Sequence, residues 1–284
     1  LRDITELTEK LGFTHLIGLG DLTYGRFHTL EYRNAVDAEL SKQYALVKGN
    51  RYELFGNHDE ASFGMTERDY YISKGLLKPS SALTIGNLHI TMVDNGKYKT
   101  TTPNIVDSED CINVILAHDY FKFNNSQTAD FGKFIPLDNM ESWFGADCLI
   151  CGHIHKIMNF EGYITRNNTE VHKLQVYYPG CMMRPAYREG YMDDVGQVIY
   201  LTLFDDGKMD IDTAQMQLWS LSDSFNLEEK EKEKATEAEK RNRVDISEVV
   251  KQLDMHDRNV GNPEDIIASL DGIDERYKSK AIEL

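Results

Sequence analysis

The feature that most constrains how this chain folds is a set of short apolar runs that stop abruptly. They are "HLIGLG" at 15–20, "YELFG" at 52–56, "LHITMVD" at 88–94, "INVILAH" at 112–118 and "DCLICG" at 147–152. Each has the length of a buried strand and is too short for a core helix. The stretches between them leave room for helices or loops, notably 29–46 and 136–144. Strand alternating with helix predicts an α/β sheet protein. Residues 2–11, with Ile4, Leu7 and Leu11 at helical spacing, read as the end of an amphipathic helix. From 160 to 218 the pattern turns β-rich, with a hairpin expected at Asp206-Gly207.

Four of these runs end in residues of one chemical kind. The first ends at Asp21, the second at Asn57, His58 and Asp59, the fourth at His118, and the fifth at His153 and His155. In open α/β sheets, ligands bind outside the carboxyl ends of the strands, so four such ends can gather a carboxylate, an amide oxygen and several imidazoles. Singly each has a bland explanation: a turn aspartate, a half-buried histidine, a strand-to-turn signal. "GHIH" is more informative, because residues two apart in an extended segment share a face and both rings can reach one site. The same parity sends Cys148 and Cys151 to opposite faces, which argues against a zinc or redox pair and for core thiols. Mixed oxygen and imidazole donors suit Mn²⁺, Fe or Zn²⁺ and not a Ca²⁺ cage. The two oxygens of Asp21 can bridge two ions, and ions roughly 3.5–4 Å apart clamp both oxygens of an in-line phosphoryl displacement.

In order and spacing, "GD", "GNHD", "AH" and "GHIH" resemble the calcineurin-like metallophosphoesterase superfamily, over residues 20–155. The resemblance implies that fold: a metallophosphoesterase sandwich with a small β-rich capping region and a C-terminal helical appendage. It implies that Asp21 bridges two metal ions, that Asn57, His118 and His153 complete one site, and that His155 serves the other. It gives His58 the substrate phosphate and the leaving group, with Asp59 expected to stabilise His58. The superfamily's first motif, Asp-x-His, does not occur in the 19 residues before Gly20. Its strand is expected upstream of the sequence given; as written, the second ion has only Asp21 and His155.

After "GHIH", the run "VYYPGCMMRPAYREGYMDDVGQVIYLTLFDDGKMDID" is similar to the corresponding region of SbcD-type DNA repair nucleases. That likeness implies a Mn²⁺-dependent exo- and endonuclease subunit acting on DNA, working as a homodimer within a heterotetramer with an SbcC-type coiled-coil ATPase. Arg184, Arg188 and His28 are the candidate substrate contacts, although polar-loop residues of this kind are common surface features. The domain organisation expected is a phosphoesterase core at 1–160, remaining core strands and the capping region at 161–225, a charged linker at 226–243, and a helical partner-binding segment at 244–284. The linker, "NLEEKEKEKATEAEKRNR", has almost no apolar residues. In the segment beyond it, Ile246, Val249, Val250 and Leu253 fall on one helical stripe, and Ile266, Ile267 and Leu270 follow after Pro263.

Composition fits a globular protein, with 41% hydrophobic residues and 10% aromatics. No apolar run reaches the roughly 18–20 residues of a membrane span, so no membrane association is expected. The charged, amphipathic start is not a signal peptide, and free thiols suit a reducing cytoplasm. Net charge is −16, of which residues 221–284, with 17 acidic and 11 basic side chains, carry −6. So acidic a body is an unpromising surface for nucleic acid unless bound cations or a partner offset it. Two other readings stand: the acidic body favours a small-molecule or cyclic-nucleotide phosphodiesterase or phosphatase of the same superfamily, and the absent Asp-x-His favours a non-catalytic scaffold with a degraded metal site, like its retromer member.

Overall fold

The structure is a computed structural model, and it describes residues 1–22, 30–59, 66–126, 131–167, 169–182 and 195–217. All of them lie within the compact unit Leu1–Ser220. His28, Arg184, Arg188 and the whole of 226–284 lie outside the described residues.

In chain order the elements are helix α1 (Arg2–Leu11), strand β1 (Leu16–Gly18), helix α2 (Leu30–Leu46), β2 (Arg51–Glu53), α3 (Glu67–Ser73), β3 (Ala82–Ile85), β4 (Leu88–Val93) and β5 (Ile112–Ala117). There follow β6 (Phe121–Lys122), β7 (Ile135–Pro136), β8 (Cys148–Cys151), β9 (Ile157–Arg166), β10 (Glu170–Pro179), β11 (Val195–Leu203) and β12 (Met209–Gln217). The stretch 136–144 forms two 3₁₀ turns, at Leu137–Asn139 and Glu141–Trp143. The protein is thus mixed α/β. Its largest sheet has the order β3-β4-β5-β8-β10-β9. Pairing is parallel from β4 through β5 and β8 to β10, and antiparallel at both edges. β9 runs across residue 160 and, with β10, continues the sheet begun by the earlier strands.

The apolar runs of β5 and β8 are explained by burial on both faces. Val114, Leu116, Cys148 and Ile150 point into one core, with Leu88, Ile90 and Met92 of β4. Ile115, Ala117, Leu149 and Cys151 point into the other, with Leu137, Trp143 and Tyr178. Cys148 and Cys151 therefore sit in different cores, as their odd spacing requires, and both are free. β10 buries only alternate residues, Leu174, Val176 and Tyr178, and leaves Lys173 and Gln175 exposed.

The four strand ends come from two sheets. β1 and β2 pair in parallel with each other, Ile17 opposite Tyr52, as a separate two-stranded unit. Tyr52 and Leu54 bury themselves against Ile90, Met92, Leu116 and Ile150 of the large sheet, with Ile17 and Leu19 beside them. The reason lies in packing: the apolar side chains of the "YELFG" run gain more from a face of the large sheet than from its edge. Ile199, Leu201 and Leu203 of β11, with Met209 and Ile211 of β12, pack on the same core. The β11–β12 hairpin turns at 204–208, where Phe204 and Lys208 are joined by a backbone bond and Gly207 takes φ 82°.

α1 also departs from its apolar stripe. The buried side chains are Thr5 and Thr8, while Ile4 and Leu7 are half-buried and Leu11 is exposed. Thr5 turns its hydroxyl to α2, where a buried amide needs partners: Gln43 Nε2 donates to Thr5 Oγ1 at 3.2 Å and to the Leu1 carbonyl at 3.1 Å, while the Thr8 hydroxyl bonds to the Ile4 carbonyl within α1. Gln43 Oε1 in turn accepts from Arg51 Nε at 3.2 Å, and the buried Arg51 pairs with Glu53 at 2.8 Å. Glu53 Oε1 then accepts from the Gly20 amide at 3.2 Å, so this polar chain ends one residue short of Asp21.

Candidate metal centre

The ends of β1, β2, β5 and β8 meet. Gly20 has φ 91°, and the chain then passes through Asp21 at φ 55°. His153, just past β8, is at φ 73°. Non-glycine residues rarely adopt this left-handed region, which costs roughly 1–2 kcal/mol each. Both carry side chains of the predicted site. Space is as tight as the backbone: a Cβ at Gly56 would collide with the Asp21 carboxylate and amide. Gly56→Ala should therefore push the two loops apart, destabilise the fold by about 1–3 kcal/mol and weaken metal binding. Urea unfolding and a Mn²⁺ titration of the variant check both effects.

At the centre is the amide of Asn57. Its Oδ1 lies 3.0 Å from His118 Nε2 and 2.8 Å from His153 Nδ1. Asp21 Oδ2 lies 3.2 Å from the same His118 Nε2. The His118 and His153 rings meet edge to face, with centroids 5.4 Å apart. His118 is 1% exposed and anchored on its other side, where Nδ1 faces the Leu19 carbonyl at 2.5 Å. A carbonyl can only accept, so Nδ1 carries a proton, and in the neutral ring the Nε2 lone pair is the one turned toward Asn57 and Asp21. In that form Asn57 Oδ1 and Asp21 Oδ2 both face an electron-rich Nε2, an arrangement that a proton on Nε2 or a bound cation relieves.

The separations fit one. Ligands about 2.1 Å from a divalent ion stand roughly 3.0 Å apart at adjacent octahedral positions. Distances of 2.8, 3.0 and 3.2 Å link Asp21, Asn57, His118 and His153. Among the described residues no three His, Cys, Asp or Glu side chains form a metal-binding group by themselves. The set here runs through an amide, Asn57. His155 is half-buried within electrostatic reach of Asp21, His58 and His118.

Electrostatics follow the same geometry. Burial pushes the Asp21 carboxyl up, but its bond to His118 and the His58 amide outweigh this and hold it below the usual carboxylate value. Burial alone would lower His118, yet its bond to Asp21 raises it. Burial, and then the neighbouring His118 charge, bring His153 down to about 4, and burial lowers His155 as well. Both rings are therefore neutral near pH 7, the form that can ligate a metal.

His58 and Asp59 have distinct placements. The His58 amide donates to Asp21 Oδ1 at 2.8 Å, which leaves Asp21 Oδ2 for the centre. Asp59 is 1% exposed, and its Oδ2 accepts from the amides of Gly56 at 2.7 Å and Asp21 at 3.0 Å. Each aspartate thus takes a backbone N–H from the other's loop. Burial raises the Asp59 carboxyl, the Gly56 amide offsets this in part, and the charges of Glu53 and Asp21 add to it, giving about 7. The hydrogen bonds the structure gives Asp59 staple the backbone at Asp21 and Gly56.

Sequence reasoning passed over a further group of polar residues that hold the ligand loops. Asp94 Oδ1 accepts from the Phe55 amide at 2.8 Å and from Arg68 at 2.7 Å. Asn95 bonds to the His118 carbonyl, and Asp119 to Asn95 and Gly96. The signal was present as "DN" directly after β4 and "HD" directly after β5. No helix among the described residues is long and apolar enough to cross a membrane. No protein-family model matches this chain, and no curated protein matches it.

Proposed function

We propose that this protein is a metal-dependent phosphoesterase of the calcineurin-like type, using two divalent ions, Mn²⁺ foremost, to cleave phosphodiesters. The observation that carries this reading is the approach of Asn57 Oδ1 and Asp21 Oδ2 to His118 Nε2, at 3.0 and 3.2 Å, on a ring whose Nδ1 is held by the Leu19 carbonyl. The motif order supports the sandwich arrangement of that superfamily, with the β1–β2 pair and the large sheet as opposed layers. When bound, the ions supply Lewis-acid activation and positive charge for an in-line phosphoryl displacement.

The chain's own residues do the rest. Asp21, Asn57, His118 and His153 would hold one ion, and Asp21 and His155 would contribute to the other. The Leu19 carbonyl fixes which nitrogen His118 offers. His58 stabilises the leaving oxygen as charge develops on it, by hydrogen bond or proton transfer. Asp59 keeps the Asp21 and Gly56 backbones together so that these groups stay in register.

Within this class the best-supported role is the nuclease subunit of an SbcCD-type complex acting on DNA ends. An SbcC-type ATPase would bind 244–284, a proposal resting on the sequence pattern of that segment. A small phosphodiester is the second reading, favoured by the net charge of −16. Thermal unfolding with and without Mn²⁺ tests the common core of both. At 100 times its Kd, an ion that binds only the folded chain stabilises it by about 2.7 kcal/mol, and the shift should vanish with excess chelator. Hydrolysis of linear double-stranded DNA against bis(p-nitrophenyl) phosphate then separates the readings. A chain whose melting ignores Mn²⁺ and which cleaves neither substrate is not a phosphoesterase.

A further inference from the structure

We propose that Asn95 is a positioning residue for the metal centre, a brace that sets the distance between the ligands Asn57 and His118. The inference rests on the metal-site reading above. Asn95 follows β4, a strand that ends without a ligand of its own although it is the neighbour of β5. Its residues instead reach to both sides.

Toward the Asn57 loop, the Asn95 amide donates to the Phe55 carbonyl at 2.8 Å, two residues before Asn57. The adjacent Asp94 accepts from the Phe55 amide at 2.8 Å, so both backbone groups of Phe55 are held by this corner. Toward the His118 loop, Asn95 Nδ2 donates to the His118 carbonyl at 2.9 Å and to Asp119 Oδ1 at 3.0 Å. Both facing atoms are oxygens that only accept, which settles that the amide turns its NH₂ group toward them. Asp119 Oδ2 closes the arrangement by accepting from the Gly96 amide at 2.9 Å.

One residue therefore grips both loops whose side chains meet at 3.0 Å. It grips His118 by its own carbonyl, while the Leu19 carbonyl orients the ring and the Val93 carbonyl takes its backbone N–H at 3.2 Å. Without the side chain of Asn95, the His118 backbone loses the bond that fixes its carbonyl, and the ligand-to-ligand distance is free to drift. Outer-shell partners of this kind typically matter by about 10–100-fold in metal affinity.

A control exists on the neighbouring strand β5. Asn113 lies at the opposite end of β5, 4% exposed, and its side chain bonds to Val106 and Gly145. It is as much a loop tie as Asn95 but touches no ligand loop. The experiment measures Mn²⁺ binding by calorimetry, and the urea midpoint of the metal-free chain, for wild type, N95A, N95D and N113A. N95D keeps the size and the backbone bond to Phe55 but sets a carboxylate against the His118 carbonyl and Asp119. The expected result is a Mn²⁺ Kd raised about 10–100-fold in N95A, at least as much in N95D, and unchanged in N113A even where its urea midpoint falls further. Wild-type affinity in N95A and N95D would overturn the brace and leave the metal centre standing. An equal loss in N113A would show general destabilisation and overturn it too. Failure of wild type itself to bind Mn²⁺ would remove the metal centre and the brace together.

Discussion

Asp21→Asn is expected to reduce Mn²⁺-dependent phosphodiester hydrolysis by at least about 10³-fold. The substitution changes no shape. It removes the negative charge from the residue whose Oδ2 stands 3.2 Å from His118 Nε2 and whose Oδ1 is already occupied by the His58 amide. An amide can offer one oxygen and not two, so it can keep the bond to His58 or face the centre, but not both. It also withdraws the charge that raises His118 and that would bridge two ions. The Mn²⁺-dependent thermal shift should shrink with the activity. Hydrolysis at the wild-type rate, or wild-type turnover in a large excess of chelator, would show that no ion held by Asp21 takes part.

His58→Ala is expected to separate binding from chemistry. The structure ties His58 to the centre through its backbone amide, a bond that alanine keeps. Separations of 2.8–3.2 Å link the side chains of Asp21, Asn57, His118 and His153. On the proposed role of His58 at the leaving oxygen, removing the imidazole should leave metal content intact while kcat falls roughly 10²–10⁴-fold, the range for loss of a general acid or its electrostatic equivalent. Elemental analysis of the purified variant decides the matter. Loss of the metal along with the activity would make His58 a ligand and not a substrate contact.

The strands were legible because burial on two faces leaves nothing but apolar residues. Runs 88–94, 112–118 and 147–152 became β4, β5 and β8 within a residue or so at each end. Parity arguments also carried across, since Cys148 and Cys151 do part company. What sequence could not convey was which strands pair. The run containing Tyr52 and Leu54 looks the same whether it extends a sheet or lies across one, and only the facing side chains of Ile90, Met92 and Leu116 decide. α1 misled for a related reason, since its apolar stripe is outvoted by a buried Gln43 that must be hydrogen-bonded. The short helix α3 and the two-residue strands β6 and β7 carry too few residues for any period to register.

The candidate site was more legible than the sheet order, because Asp, Asn and His at strand ends are chemically conspicuous. Its support was not. Asn95, Asp94 and Asp119 look like ordinary turn residues, and what marks them is the identity of the backbone groups they reach, which no spacing rule encodes. Asp59 has a similar lesson. Adjacent to His58 in sequence, it was expected to serve that ring, but its hydrogen bonds go to the amides of Gly56 and Asp21.

Two donors come from the small β1–β2 unit and two from the large sheet, and the two units touch through one shared apolar core. No local stretch of chain can assemble such a set by itself. The donor set is complete only when separately hydrogen-bonded units have docked, so on the proposed reading cation affinity would work as a coincidence detector for tertiary assembly. A half-folded intermediate with either unit formed alone would present two donors at most, too few to capture an ion tightly. Chemistry would then be confined to chains that have finished folding.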